Sequence, residues 1–201
     1  MRAGRTLVSA KEVSRFDDWI GNGIDRLKTD IINAEESGIN TSEVVNFEDV
    51  EALGEVMNSY RTSNQSGVEN ALATHSDVAA LASYCHARFT RKLRETKAYY
   101  KQAQAVAEVS SRASFTDSVD EIYDTLVEGG VIKETAKKDI SKVKQTEGFI
   151  SSLVQLSEDY KHAEVLLGFA EELYELSSSL LGALDQRKDC LIQMSINSRK
   201  D

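Results

Sequence analysis

The sequence predicts an all-α protein, on three observations. Proline is absent from the 201 residues, where an average composition would supply about ten, so no helix interior loses an N–H or meets a ring clash. Apolar residues recur at three- and four-residue steps over long windows, the period of an amphipathic helix rather than the alternation of a strand. Aromatic content is 7%, low for a β protein, and Ala, Glu, Ser and Leu are abundant. The expected architecture is a set of long amphipathic helices in an elongated hairpin or bundle, with coiled-coil character, completed by oligomerisation.

The first helix is announced by Ser9-Ala10-Lys11-Glu12, which has the spacing of a capping box. Val13, Phe16, Ile20, Ile24, Leu27, Ile31 and Ala34 then form one apolar seam, and Gly38 is placed to terminate it. Gly21 and Gly23 each weaken the middle by up to about 1 kcal/mol relative to Ala, which allows a kink or a break there. Asn46 is set to cap a short helix carrying Val50, Leu53, Met57 and Tyr60, which fades into Thr62-Ser63-Asn64-Gln65. The expected domain division therefore separates a small acidic helical region, 1–65, from a long-helix body and oligomerisation domain, 66–201.

Ser66-Gly67-Val68-Glu69 repeats the S-x-x-E signal. From Val68 through Ala71, His75, Val78, Ala82, Cys85, Phe89, Leu93, Thr96, Tyr100, Ala103 and Ala107 the stride is nearly heptad, predicting a helix of about 40 residues and roughly 60 Å. Loosening is expected at Ser110–Ser114, then a short helix from Ser118 that stops at Gly129-Gly130. A last helix is expected from near Lys133 to Asn197. One of its seams is Phe149, Leu153, Leu156, Tyr160, Ala163, Leu167, Ala170, Tyr174, Ser177, Leu181, Leu184 and Leu191, and a second is Val165, Leu166, Phe169, Leu173, Leu176 and Leu180. Two seams require more than one neighbour. Gly168 and Gly182 beside them are expected to permit close helix approach or a mild bend.

The net charge of −9 opposes indiscriminate coating of nucleic acid. The charge is uneven, however: residues 1–70 carry −6, residues 71–150 carry +1 and residues 151–201 carry −4. Cys85 and Cys190 fall on apolar helix positions and read as reduced thiols. Met1–Ala10 lacks the apolar core of a signal peptide, and no window holds 18 consecutive apolar residues. A cytoplasmic location is the expectation.

Catalysis is not expected. His75, His86 and His162 lie far apart, and adjacent Cys85 and His86 point about 100° apart on a helix, which does not suit a metal. No nucleophile elbow, phosphate loop or dinucleotide fingerprint occurs, so no cofactor is implied.

The stretch Arg88–Lys101, RFTRKLRETKAYYK, is where the chain turns basic. Arg88, Arg91, Lys92, Arg94, Lys97 and Lys101 face a single acid, Glu95. Cys85, Phe89, Leu93, Thr96 and Tyr100 share an apolar stripe, with cations fanned across the other side. A basic face ending in Tyr99-Tyr100 suits a polyanion, single-stranded nucleic acid being the natural candidate; a solvated, solubilising face has the same composition. A second basic patch, with Lys133, Lys137, Lys138, Lys142 and Lys144, sits at the start of the last expected helix, where the helix dipole disfavours cations.

The order of these features, with KKDISKVKQTEGFI, LLGFAEELYELSSSLLGALDQRKDCLIQM and a basic Arg199-Lys200 end, resembles the phage recombination mediators of the UvsY type over about residues 80–200. That resemblance implies a non-enzymatic protein that helps load a RecA-like recombinase onto single-stranded DNA covered by its binding protein. It implies DNA contacts at the basic cluster ahead of the tyrosine pair, with Arg94 at a basic position of the family, Thr96 replacing another and Ala98 replacing an acid. It also implies ring formation through the terminal helix, and a host-cytoplasmic setting if phage-encoded. The expected nucleic-acid-binding residues are Arg88, Arg91, Lys92, Arg94, Lys97, Tyr99, Tyr100, Lys101, Lys137 and Lys138. The alternative is a structural or assembly protein, a scaffold or virion component, whose basic face binds an acidic protein partner.

Overall fold

A computed structural model describes residues 10–42, 44–65, 67–128 and 147–198, and every described element is helical. In chain order they are α1 (Ala10–Glu36), α2 (Phe47–Gln65), α3 (Val68–Glu128), α4 (Glu147–Val154) and α5 (Glu158–Ser198). The all-α expectation is met. The chain divides into two compact units, residues 1–95 with 168–201, and residues 96–167.

The first unit is built on α1, α2, the start of α3 and the later part of α5. Its fully buried side chains come from all four: Ile20, Leu27 and Ile31, then Leu53, Val56 and Met57, then Phe89, then Leu173, Leu180 and Leu184. Each such side chain contributes about 1.5–3 kcal/mol by leaving water. Of the two seams of α5, Leu173, Leu176 and Leu180 of one and Ala170, Ser177 and Leu184 of the other are buried here, while Tyr174 and Leu181 are half-buried.

Helix ends follow the sequence signals. Gly38 adopts φ +86°, its N–H donates to the Glu35 carbonyl, and the Ile39 N–H donates to the Ala34 carbonyl. This is a Schellman termination, which requires the left-handed conformation that glycine adopts without penalty. At α2, Asn46 Oδ1 accepts from the Asp49 N–H at 3.0 Å, and Asp49 Oδ2 accepts from the Asn46 N–H at 3.1 Å. The pair satisfies two end donors reciprocally. Ser9 lies outside the described residues.

Several expectations are corrected. No break occurs at Gly21 and Gly23, since α1 is continuous. These glycines instead admit neighbours: a Cβ on Gly23 would stand 2.8 Å from Leu176 Cδ2, and one on Gly21 would stand 2.8 Å from Arg61 Nη2. Gly168 and Gly182 have nothing within 4 Å of a built Cβ, so close approach does not explain them. α3 runs 61 residues without breaking at Ser110–Ser114, because polar serines tolerate a helical backbone that no proline interrupts.

The second unit packs α3 beyond Thr96 against α4 and the start of α5. Ala107, Ile150 and Val154 form a small buried cluster beside Tyr160. The single terminal helix expected from Lys133 is, in its described part, two. The chain turns at Gln155–Ser157, and α5 restarts with Ser157 Oγ 3.5 Å from the Tyr160 nitrogen and Glu158 and Asp159 in the first turn. Acids at that position complement the N-terminal dipole. The Ser157-Glu158-Asp159 triplet was the sequence signal for this boundary. As a result Leu156, expected in a seam, is exposed.

Candidate nucleic-acid interface

The basic stretch belongs wholly to α3, and its cations have different environments. In the first unit, Asp49 of α2 is completely buried and receives two of them. Arg88 Nη2 lies 2.7 Å from Asp49 Oδ1 as an ion pair, outside hydrogen-bond geometry, and Lys92 Nζ donates to Asp49 Oδ2. One carboxylate thus caps α2 and ties it to α3 through two charges. These cations are engaged with a carboxylate of their own chain, and Lys92 is largely covered.

Arg91 and Arg94 are exposed. Arg91 Nε donates to Glu95 Oε1 at 2.8 Å, one turn along the same helix, and that hydrogen bond holds the guanidinium pKa above its ordinary value. Both partners are largely in water, where such a pair contributes little. Arg94 pairs with no carboxylate among the described residues.

In the second unit, Lys97 and Lys101 are exposed. The tyrosine pair divides as adjacent helical residues must. Tyr100 turns inward, its hydroxyl 2.6 Å from that of Tyr160 and the rings 5.3 Å apart. The shared hydrogen bond, then desolvation, pushes the Tyr160 phenol up to about 12. Tyr99 is exposed. It stands two residues from both Lys97 and Lys101, which places it roughly 160° around the helix from them. Its neighbours along its own face are Gln102 and Val106, and it lines a recess of about 580 Å³ with Ala103, Leu153 and Leu156. The exposed aromatic and the exposed lysines therefore occupy different sides of α3. Lys137 and Lys138, with Lys133, Lys142 and Lys144, lie outside the described residues.

A cation that the sequence reading passed over is Arg187 of α5, only 8% exposed. Its Nη2 donates to Ser63 Oγ at 2.7 Å. Because the guanidinium can only donate, the Ser63 hydroxyl is left to donate to Thr74 Oγ1, which donates in turn to the Asn70 carbonyl. The guanidinium carbon stands 5.5 Å from the Tyr60 ring centroid. Nε and Nη1 are buried and make no hydrogen bond. Burial holds the Arg187 pKa below its ordinary value, and burial followed by the Arg187 and Lys188 charges holds that of His75 down.

Cys85 and Cys190 are free thiols, and burial pushes the Cys85 thiol up. Among the described residues no group of three His, Cys, Asp or Glu side chains could hold a metal ion. No described helix is long and apolar enough to cross a membrane. No family model matches the chain, and neither the curated proteins nor the solved structures contain a match.

Proposed function

We propose that this chain is a single-stranded-DNA-binding recombination mediator, helping a RecA-like recombinase replace the resident single-strand-binding protein. The reading rests on the UvsY-type resemblance over residues 80–200. The observation that carries it is that cationic side chains of α3 reach water in an otherwise acidic protein, Arg91 and Arg94 in the first unit and Lys97 and Lys101 in the second. Phosphates would be met by these side chains. Arg88 and Lys92 would serve the fold through Asp49, and Tyr100 is occupied by Tyr160, so contact is expected to be electrostatic more than stacking.

Fluorescence anisotropy with a labelled single-stranded oligonucleotide tests this. Log affinity should fall linearly with log salt, with a slope of about −0.7 per phosphate neutralised. The Arg94→Glu, Lys101→Glu double variant, with helicity retained, should bind at least about tenfold more weakly. Parental affinity in that variant would end the proposal.

A second reading is an assembly or scaffold protein whose basic side chains meet carboxylates. One observation favours it: Asp49 already takes up Arg88 and Lys92 in that manner. Under this reading no oligonucleotide binds even at low salt.

A further inference from the structure

On α3, Tyr99, Gln102, Val106 and Val109 follow one another at three- and four-residue steps, the stride of a helix–helix seam. None is covered. Val106 is 55% and Val109 68% exposed, and Leu156, from the turn between α4 and α5, is 67% exposed. Val106 and Leu156 both border the recess of about 580 Å³, which also has the small side chains of Ala103, Ala107 and Ser110 in its wall. Protruding valines and a recess walled by alanine and serine thus share one patch of the second unit.

From this arrangement we propose that the patch is a contact between two copies of this chain, with Val106 and Val109 of each copy entering the recess of the other. Self-pairing demands a surface that carries both knob and hole, so that each residue meets its counterpart reciprocally. It also demands little like charge. Among the residues lining the recess Asp159 alone is charged, so two such surfaces meet with one carboxylate apiece. A nucleic-acid strand would find no cation in the lining, and a basic peptide would find one acid.

This contact uses none of the cationic side chains of the strand-binding reading, so either can fail without the other. It also differs from the UvsY-type expectation that the terminal helix builds the oligomer.

The test is sedimentation equilibrium of the full chain, without nucleic acid, over a wide concentration range. The average mass should rise with concentration above that of one chain. Val106→Lys with Val109→Lys should weaken association at least about tenfold while far-UV circular dichroism stays unchanged. Leu156→Glu, on the other wall, serves as the second probe should the valine pair lose helicity, and should weaken association likewise. Ile192→Lys with Ile196→Lys, at exposed apolar positions near the end of α5, should leave association intact. A parent chain that remains one copy throughout overturns the proposal. So does tight association that survives the α3 and Leu156 changes, or that is abolished by the Ile192 and Ile196 changes.

Discussion

Arg88 of α3 and Asp49 of α2 meet at 2.7 Å, Nη2 to Oδ1, although the carboxylate is wholly buried and the arginine keeps part of its surface in water. Lys92, one turn further along α3, reaches the second oxygen. Asp49 also closes the N-terminus of α2 on Asn46. A secondary-structure signal and a tertiary tie therefore depend on one side chain.

Replacing it separates the two roles. Asp49→Asn keeps an oxygen for the Asn46 N–H but leaves Lys92 and Arg88 without a counter-charge. Breaking a buried pair costs about 3–5 kcal/mol; with Arg88 partly solvated we expect about 2–3. Asp49→Ala should cost about 1 kcal/mol more through the lost cap. Urea denaturation measures both. Stability within about 0.5 kcal/mol of the parent in Asp49→Asn would show that the ion pairs hold nothing.

Gly21 and Gly23 sit two residues apart, yet substitution should act with opposite sign. Alanine at either position gains up to about 1 kcal/mol of helix propensity. At Gly21 the new methyl meets the end of the Arg61 side chain, which can swing aside, so Gly21→Ala should stabilise by about 0.5–1 kcal/mol. At Gly23 it meets both methyls of buried Leu176, and overpacking costs about 1–3 kcal/mol. Gly23→Ala should therefore be net destabilising, and thermal melts of the two variants should move apart.

These cases show what the sequence made legible. The spacing of Ile20, Ile24, Leu27 and Ile31 fixes a period, and a period suffices to name the buried side of a helix. Gly38 and Asn46 were equally readable, because caps are local chemistry. The glycines do not break α1, and sequence alone does not say why they are there, because a glycine looks the same whether it loosens a helix or admits Leu176 from 153 residues away. The partners of Arg88 and Lys92 were hidden for a related reason. The helical wheel gives the side of α3 on which a cation stands, but not which helix lies against that side. Spacing put Tyr100 on the apolar stripe and set Tyr99 about 100° from it, but the partner Tyr100 meets there, Tyr160, was not legible.

Tyr160 provides an alkaline signature of the second unit. Its folded pKa, about 12, lies above the ordinary phenol value of about 10, so the neutral form is the one the fold favours. The stabilisation is present in full below about pH 10 and is lost as pH rises towards 12. Ultraviolet titration of phenolate absorbance should show a tyrosine ionising later than the exposed ones. Tyr100→Phe removes the first cause of the shift, the shared hydrogen bond, and should bring that late step back towards 10. A late step unchanged in Tyr100→Phe would refute the assignment.

Arg187 is the residue whose removal should help the fold. A buried guanidinium carries a desolvation penalty of several kcal/mol, and here it is offset by one hydroxyl and the face of Tyr60, with no carboxylate in contact among the described residues. Arg187→Met keeps most of the volume and removes the charge; the Ser63 hydroxyl retains its bond to Thr74. We expect stabilisation of about 1 kcal/mol or more, whereas Arg187→Ala should lose stability through the cavity it opens. The same substitution changes the acid limb. His75 is held neutral first by burial and then by the Arg187 and Lys188 charges, against a smaller opposing effect of Asp185. Its folded pKa lies below the unfolded value of about 6.5, so the unfolded chain takes up the proton first and stability falls as pH drops through that window. Removing Arg187 should make this fall shallower without abolishing it, since the burial remains. Melting curves from neutral to acid pH compare the two proteins, and an equal or steeper acid fall in Arg187→Met would contradict the coupling.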